Sequence, residues 1–361
     1  MNGSSDFAAP DRGLWRCLYD FWARPIRAES LALFRIVIGT VILLSLLTSL
    51  GPRLPRDFGP DGLYPRQTAE DRLQRDGAFS LLCGPINLPL LDDYLPGDAV
   101  AAWQNWCDQP KNALLLFAVL TAATACMTVG CWTRTATIVA WALFVSFNQR
   151  LSSLMNGGDS LMRCALFYLL FAPSGAVWSI DWLLGKRRPN VTGPILIPAW
   201  PVRLMQIQIA IMYFFTGLSK LGGDWLDGEA VYWVLNDYTL TRWPYYWLPV
   251  PLFVCRLLSW ATVLFEIGFP FYVAVGRPRR FVLEVRGTFP AEGFRSAFTL
   301  PALRPWALLA GLAFHLGILI HTEVGWFSSA AAAWYVLFLS GDGVRNFVRL
   351  QWLRKTASGG G

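Results

Sequence analysis

Long apolar runs separated by short polar connections dominate the chain. Eight runs stand out, at roughly 31–50, 113–131, 135–147, 161–178, 203–221, 251–275, 306–321 and 325–341. A helix needs about 20 mostly apolar residues to cross a hydrocarbon core of about 30 Å. The pattern therefore predicts an all-α, polytopic membrane bundle of about eight spans. The third run is short and extends toward Ser152. The fourth is interrupted by Ala172-Pro173-Ser174-Gly175, where a membrane helix can kink or end.

Before the first run, Arg12, Arg16, Arg24 and Arg27 alternate with Trp15, Leu18, Tyr19 and Trp22 at helical spacing, with Phe21 beside them. That is the pattern of a helix lying on a membrane surface. The run Leu31–Leu50 starts too late for a cleaved signal peptide and lacks a small-residue cleavage site, so it reads as a retained span. Three segments follow: a cytoplasmic amphipathic segment (1–30), a transmembrane domain (31–342) and a basic cytoplasmic tail (343–361) that ends in a Ser-Gly-Gly-Gly stretch. No internal repeat and no soluble domain is visible.

Charge adds an orientation. With the N-terminus inside, most of the 31 lysines and arginines fall in cytoplasmic segments, and most of the external ones sit in one long loop, which counts little. Both termini are expected in the cytoplasm. The external connections are the large ones. Residues 51–112 are rich in turn formers, so irregular structure or short helices are expected there. Residues 222–250 carry Tyr232, Trp233, Tyr238, Trp243, Tyr245, Tyr246 and Trp247, an interfacial aromatic belt.

Composition agrees with a membrane class: 54% of the residues are hydrophobic and 15% charged, and mean hydropathy is +0.39. The net charge of +7 fits a basic face beside anionic lipid and does not call for nucleic acid. Seven cysteines without a CxxC or Cys/His cluster predict neither a disulfide scaffold nor a metal site. Only Cys83 and Cys107 fall in an external loop, where they are either an oxidisable pair or two buried thiols.

Polar groups at membrane depth carry the candidate chemistry, because each costs insertion energy. They are Arg35, Arg163, Lys220, Arg256, Glu266, His315 and His321, with Asp159 at a span entrance. Glu266 with Arg35 or Arg163 would make an ion pair that locks the bundle. Arg256, near an external end, can snorkel. Lys220 ends an apolar run just before Gly222-Gly223-Asp224-Trp225; there it either snorkels or serves as a desolvated general base. His315 lies inside the seventh run. Asn156-Gly157-Gly158-Asp159-Ser160 is a polar turn that either caps the next helix or lets backbone amides approach a ligand. No phosphate loop, nucleophile elbow, HExxH or dinucleotide fingerprint is present.

Several of these stretches, in order, resemble the horizontally transferred transmembrane domain of the vitamin K-dependent gamma-carboxylase and bacterial membrane proteins. They are Leu33-Phe34-Arg35-Ile36-Val37-Ile38-Gly39; Asn156-Gly157-Gly158-Asp159-Ser160-Leu161-Met162-Arg163 leading to Trp178-Ser179-Ile180-Asp181; Tyr213 to Trp225; and Phe314-His315 followed by Gly325-Trp326-Phe327. In the carboxylase, the lysine of the third stretch deprotonates the reduced vitamin. Oxygenation then yields a strong base that removes a glutamate γ-proton, and carbon dioxide adds.

The resemblance implies Lys220 as base and His315 as a second catalytic residue. It implies Arg35, Asn156, Asp159, Arg163, Trp225 and Glu266 as substrate-binding residues, with a reduced quinone as the cofactor. Two features depart from it: the polar turn holds Gly158 and Asp159 where the carboxylase has a histidine, and the chain lacks a large lumenal region. The expected protein is a multi-pass protein of a bacterial cell membrane, acting at the outer face on a quinol or an exported peptide. The rivals are a non-enzymatic protein for maturation, export or immunity of a secreted peptide and, third, a transporter.

Overall fold

In the computed structural model, residues 12–58, 62–76, 78, 80–83, 96–151, 155–185, 193–243, 250–274, 279–284, 295–300 and 302–348 are described. Tyr245, Tyr246, Trp247 and the tail from 349 onward lie outside them. The chain divides into two compact units, residues 1–205 with 339–361, and residues 206–338.

The first unit begins with α1 (Arg12–Trp22), whose Trp15, Leu18, Tyr19 and Phe21 are all exposed. A short strand β1 (Ile26–Arg27) follows, and then α2 (Glu29–Ser45). The latter runs through a π-helical turn at Leu46–Leu50 into α3 (Gly51–Asp57). Two short helices, α4 (Arg66–Asp76) and α5 (Gly97–Cys107), occupy the long connection. Then come α6 (Pro110–Val129), α7 (Thr133–Arg150), α8 (Gly157–Phe171), α9 (Ile180–Gly185) and β2 (Leu196–Ile197), which pairs antiparallel with β1.

Helix α2 packs on α6 and α8, and α7 lies between α6 and α8. The core holds Phe34, Ile38 and Ile42 of α2, Leu120 and Met127 of α6, and Phe144 and Phe147 of α7. Gly39 is where α2 and α6 come closest, for a Cβ there would lie 3.1 Å from the Cβ of Thr128. Beyond the second unit, the chain returns as a helix over 341–348. Asp342 is fastened to Arg27, which also pairs with Glu29 at 2.6 Å.

The α6–α7 junction shows how the turns are fixed. Proline starts α6, where no amide donor is needed, and Gly130 ends it with φ of 75°. The amides that open α7 lack intrahelical partners. Asp181, far along the chain, accepts from Trp132 N and Thr133 N, both at 2.8 Å, and from the Thr133 hydroxyl at 2.6 Å. Burial pushes the Asp181 carboxyl up, but these hydrogen bonds outweigh it and hold it below the usual carboxylate range.

A carboxyl with a lowered folded-state pKa stabilises above its unfolded value, near pH 3.8. That contribution is lost as pH falls through the lower folded value. Asp181→Ala should therefore cost about 1 kcal/mol at pH 7, with the gap to wild type closing below about pH 4. Unfolding midpoints measured across pH check this; a gap that does not change with pH overturns it.

Cys83 and Cys107 are both buried free thiols. Burial pushes them up to about 11 and about 12, so neither is a thiolate at neutral pH.

The second unit takes the end of α10 (Trp200–Leu218), then α11 (Gly223–Leu226), α12 (Ala230–Asn236) and α13 (Leu252–Ala274). After these come a hairpin of β3 (Arg279–Glu284) and β4 (Arg295–Leu300), α14 (Arg304–His321) and α15 (Phe327–Trp334), which ends in a 3₁₀ turn at Tyr335–Phe338. Helix α13 packs on α12 and α14, and α14 packs on α15. Alanines at 330, 331 and 333 let α15 sit close to its neighbours. The loop after α12 is tied to the end of α14 by Arg242 N to His321 O and by the Trp243 indole to Ile320 O, 2.9 and 2.7 Å.

Four helices among the described residues are long and apolar enough to cross a membrane: Glu29–Asp57, Pro110–Val129, Leu252–Ala274 and Arg304–His321. Their outward residues are large and apolar, among them Leu114 and Leu115 of α6, Phe253, Leu264 and Phe271 of α13, and Trp306 and Leu316 of α14. Apolar surface on that scale belongs against lipid. The remaining runs give shorter or more polar helices. The eighth, Phe327–Phe338, reaches only about 20 Å. The two small sheets, absent from the all-α expectation, connect helices.

Candidate functional site

The groups that sequence reasoning singled out are spread over both units. In the second unit, α10 ends at Leu218 and the chain turns through 219–222, leaving Lys220 just past the helix terminus. Its ammonium donates to Glu266 Oε2 at 2.6 Å and lies 5.1 Å from the centre of the Trp225 ring. The two side chains are 19% and 7% exposed. Gly217 permits this approach: a Cβ there would stand 2.8 Å from the backbone nitrogen of Ile267 and 3.0 Å from the Cβ of Glu266. The partner of Glu266 is thus Lys220, rather than the Arg35 or Arg163 expected from charge alone.

Two turns earlier on α10 lies Tyr213, fully buried. Its hydroxyl bonds His315 Nε2 of α14 at 2.5 Å and the Tyr335 hydroxyl at 2.6 Å. Rings of Phe265, Phe269, Phe314 and Phe327 surround this triad, with Phe269 centred 4.4 Å from Tyr213. Phe265 and Phe269 share α13 with Glu266, so the ion pair and the triad adjoin. His315 Nδ1 is buried and has no hydrogen-bond partner among the described residues. Whichever way the phenol protons run, one imidazole nitrogen stays open. The cluster can pass a proton between tyrosine and histidine, and the ion pair can hold one between amine and carboxylate.

Arg35, Asn156, Asp159 and Arg163 lie in the first unit, and Arg256 and His321 in the second. Arg35 is completely buried and donates to the carbonyls of Ser174 and Trp178 at 2.5 Å each. Asn156 and Asp159 cap each other at the start of α8: Asn156 Oδ1 accepts from Gly158 N at 2.7 Å, and Asp159 Oδ2 accepts from Asn156 N at 2.9 Å. Arg163 is half-buried one turn beyond Asp159. Arg256 pairs loosely with Glu229 at 3.4 Å, and His321 bonds Gly317 O.

Tyr213 and Tyr335 are the site residues that sequence reasoning missed as chemistry. Tyrosine carries little cost in an apolar run, and the only signal was the place of Tyr213 in the stretch ending at Trp225.

The HTTM domain matches residues 102–296, more than half of the chain. The chain belongs to the HTTM domain family. This is the vitamin K-dependent gamma-carboxylase-associated membrane domain family. The HTTM match takes in Lys220, Glu266, Trp225, Asn156, Asp159 and Arg163, and leaves Arg35 and His315 outside its bounds. No solved structure matches this HTTM protein.

Proposed function

We propose that this HTTM protein is a multi-pass protein of about eight spans in a bacterial cell membrane, with both termini cytoplasmic. In this reading it uses the Lys220–Glu266 pair at the outer face to take a proton from a lipid-soluble quinol. The observation that carries the proposal is the half-buried Lys220, held at 2.6 Å from Glu266 beside an aromatic cluster. When the ammonium passes its proton to Glu266, the neutral amine accepts one from the quinol hydroxyl, and the ion pair ends one proton richer. A planar quinol ring suits walls of phenylalanine and the indole of Trp225. His315 Nδ1, buried and open, offers a hydrogen bond to a ring oxygen. Arg35, Asn156 and Asp159 act as supports in this reading, because their polar atoms largely serve backbone, and Arg163 stands one turn beyond Asp159 on α8.

The test uses the protein in lipid nanodiscs with a reduced naphthoquinol and dissolved oxygen as electron acceptor, following quinol oxidation, which deprotonation of the quinol accelerates. The variant is Lys220→Met/Glu266→Gln, chosen because it leaves no lone buried charge, with folding checked by unfolding. Turnover in the native protein that disappears in the folded double variant is expected; equal turnover in both overturns the base.

A second reading has its own observation. The turn where the carboxylase has a histidine is closed here by the Asn156–Asp159 capping box. That favours a non-enzymatic protein that aids maturation, export or immunity of a secreted peptide. Absence of turnover in the native protein points there.

A further inference from the structure

Two phenols and one imidazole form a short chain in the second unit. Tyr213 Oη lies 2.5 Å from His315 Nε2 and 2.6 Å from Tyr335 Oη, and neither hydroxyl has a further hydrogen-bond partner among the described residues. His315 is 2% exposed, and its Nδ1 has no partner among them. No carboxylate pairs with this histidine there, and Glu266 is already bound by Lys220 at 2.6 Å. A lone buried imidazolium is costly, so the ring is neutral and carries one N–H.

Counting protons places that N–H. If Tyr335 donates to Tyr213 and Tyr213 donates to Nε2, the ring proton sits on Nδ1. Only that N–H then lacks a partner. If Nε2 keeps the proton instead, Tyr213 must accept it. One phenol proton then has no acceptor, and the bare Nδ1 has no donor. Buried polar groups without partners are rare, so the arrangement that leaves one prevails over those that leave two. The surroundings hold the phenols in place. The Tyr213 ring packs on Phe269 and Phe265, with centres 4.4 and 5.6 Å away. The Tyr335 hydroxyl fills space at Gly311, where a Cβ would overlap it.

We infer that Tyr213 and Tyr335 lock His315 with its proton on Nδ1, from which it donates to an acceptor oxygen on a ring ligand: a quinone carbonyl or the ionised oxygen of a quinol. This rests on the quinol reading of the Lys220 site and gives that site a polarity.

The rings of Phe314 and Phe327, centred 5.2 and 5.5 Å from the imidazole, disfavour a hydrated anion and suit a planar ligand. A donor fixed on Nδ1 bonds the neutral oxygen of a quinol, and bonds the ionised oxygen more strongly. It therefore favours the state reached as the proton leaves for the Lys220 amine, with no rearrangement at that moment. His315 is the group that meets the ligand. Tyr213 and Tyr335 are positioning residues that act through it.

Ring-nitrogen NMR of the full chain in lipid bilayers, with isotope-labelled histidine, tests this. The chain has two histidines. His321→Gln leaves His315 as the only one, and the His321 side chain bonds no member of the triad, only Gly317 O of its own helix. A protonated ring nitrogen resonates far upfield of a bare one, and Nε2 couples to both carbon-bound ring protons, so the spectrum identifies the nitrogen that holds the proton. The expected result is a proton on Nδ1, with a saturable downfield shift of that proton on adding naphthoquinone and none on adding naphthalene. Tyr213→Phe, with folding checked by unfolding, should show both tautomers in comparable amounts, because either one then leaves Nε2 without a partner. A proton on Nε2 in the parent overturns the inference. So does an Nδ1 signal that ignores naphthoquinone or answers naphthalene equally, or a Tyr213→Phe spectrum like the parent's. Turnover is not read here, so a failed Lys220 base leaves these signals in place, and a failed Nδ1 donor leaves the base to its own test.

Discussion

Lys220→Met is expected to destabilise the protein by about 3 kcal/mol, the cost of leaving a buried carboxylate without its partner. Glu266 is 7% exposed, and its hydrogen bond from Lys220 is 2.6 Å long. Methionine fills the same space but cannot donate, so Glu266 must face apolar neighbours as a lone charge or take up a proton. Adding Glu266→Gln removes that charge and should restore most of the loss, because an absent pair costs far less than a broken one. Unfolding of the two single variants and the double variant, in detergent or by sodium dodecyl sulfate titration, measures the coupling. Additive losses would mean that the two groups do not depend on one another.

Arg35→Met is expected to cost a similar amount, about 3 kcal/mol, for another reason. Its guanidinium spans two backbone carbonyls, Ser174 O and Trp178 O, at the foot of the 172–181 turn. Without it, two acceptors lose their donors in a buried setting, at about 1–3 kcal/mol each. The turn holds Trp178 in a left-handed conformation, with φ of 52°, and is also tied by the Ser179 hydroxyl to Gly175 O at 2.6 Å and by Asp181 N to Gly130 O at 2.9 Å. Arg35→Lys keeps the charge but is a single point donor and cannot span both carbonyls, so its loss should fall between wild type and methionine. Lysine and methionine variants that unfold together would mean that charge, and not the two-pronged geometry, holds the turn.

These two cases show what the sequence could and could not reveal. Hydrophobic runs placed the helices well, since burial in lipid demands continuous apolar surface and leaves a strong mark on the chain. They put Lys220 at the end of the run 203–221, whereas the structure ends α10 at Leu218 and leaves Lys220 just past it. Partners were harder to read. Lys220 and Glu266 are 46 positions apart, and nothing in charge alone prefers Lys220 over Arg35 or Arg163 as the mate of Glu266. The role of Asp181 was hidden because its amide donors lie 48 and 49 positions back along the chain. Tyr213 and Tyr335 hid in apolar surroundings that tolerate a phenol. The β3–β4 hairpin was masked by its arginines, which read as a basic cytoplasmic loop, although Phe281, Val282 and Leu283 favour a strand.

The capping box at the start of α8 has a consequence for how the site could diverge. Asp159 receives the Asn156 amide and so helps begin the helix that carries Arg163. Of the two positions that stand where the resemblance puts the carboxylase histidine, 158 and 159, a histidine at 159 would remove that acceptor. An imidazole at 159 would leave α8 to start on the Asn156 half of the cap alone, which accepts from Gly158 N at 2.7 Å.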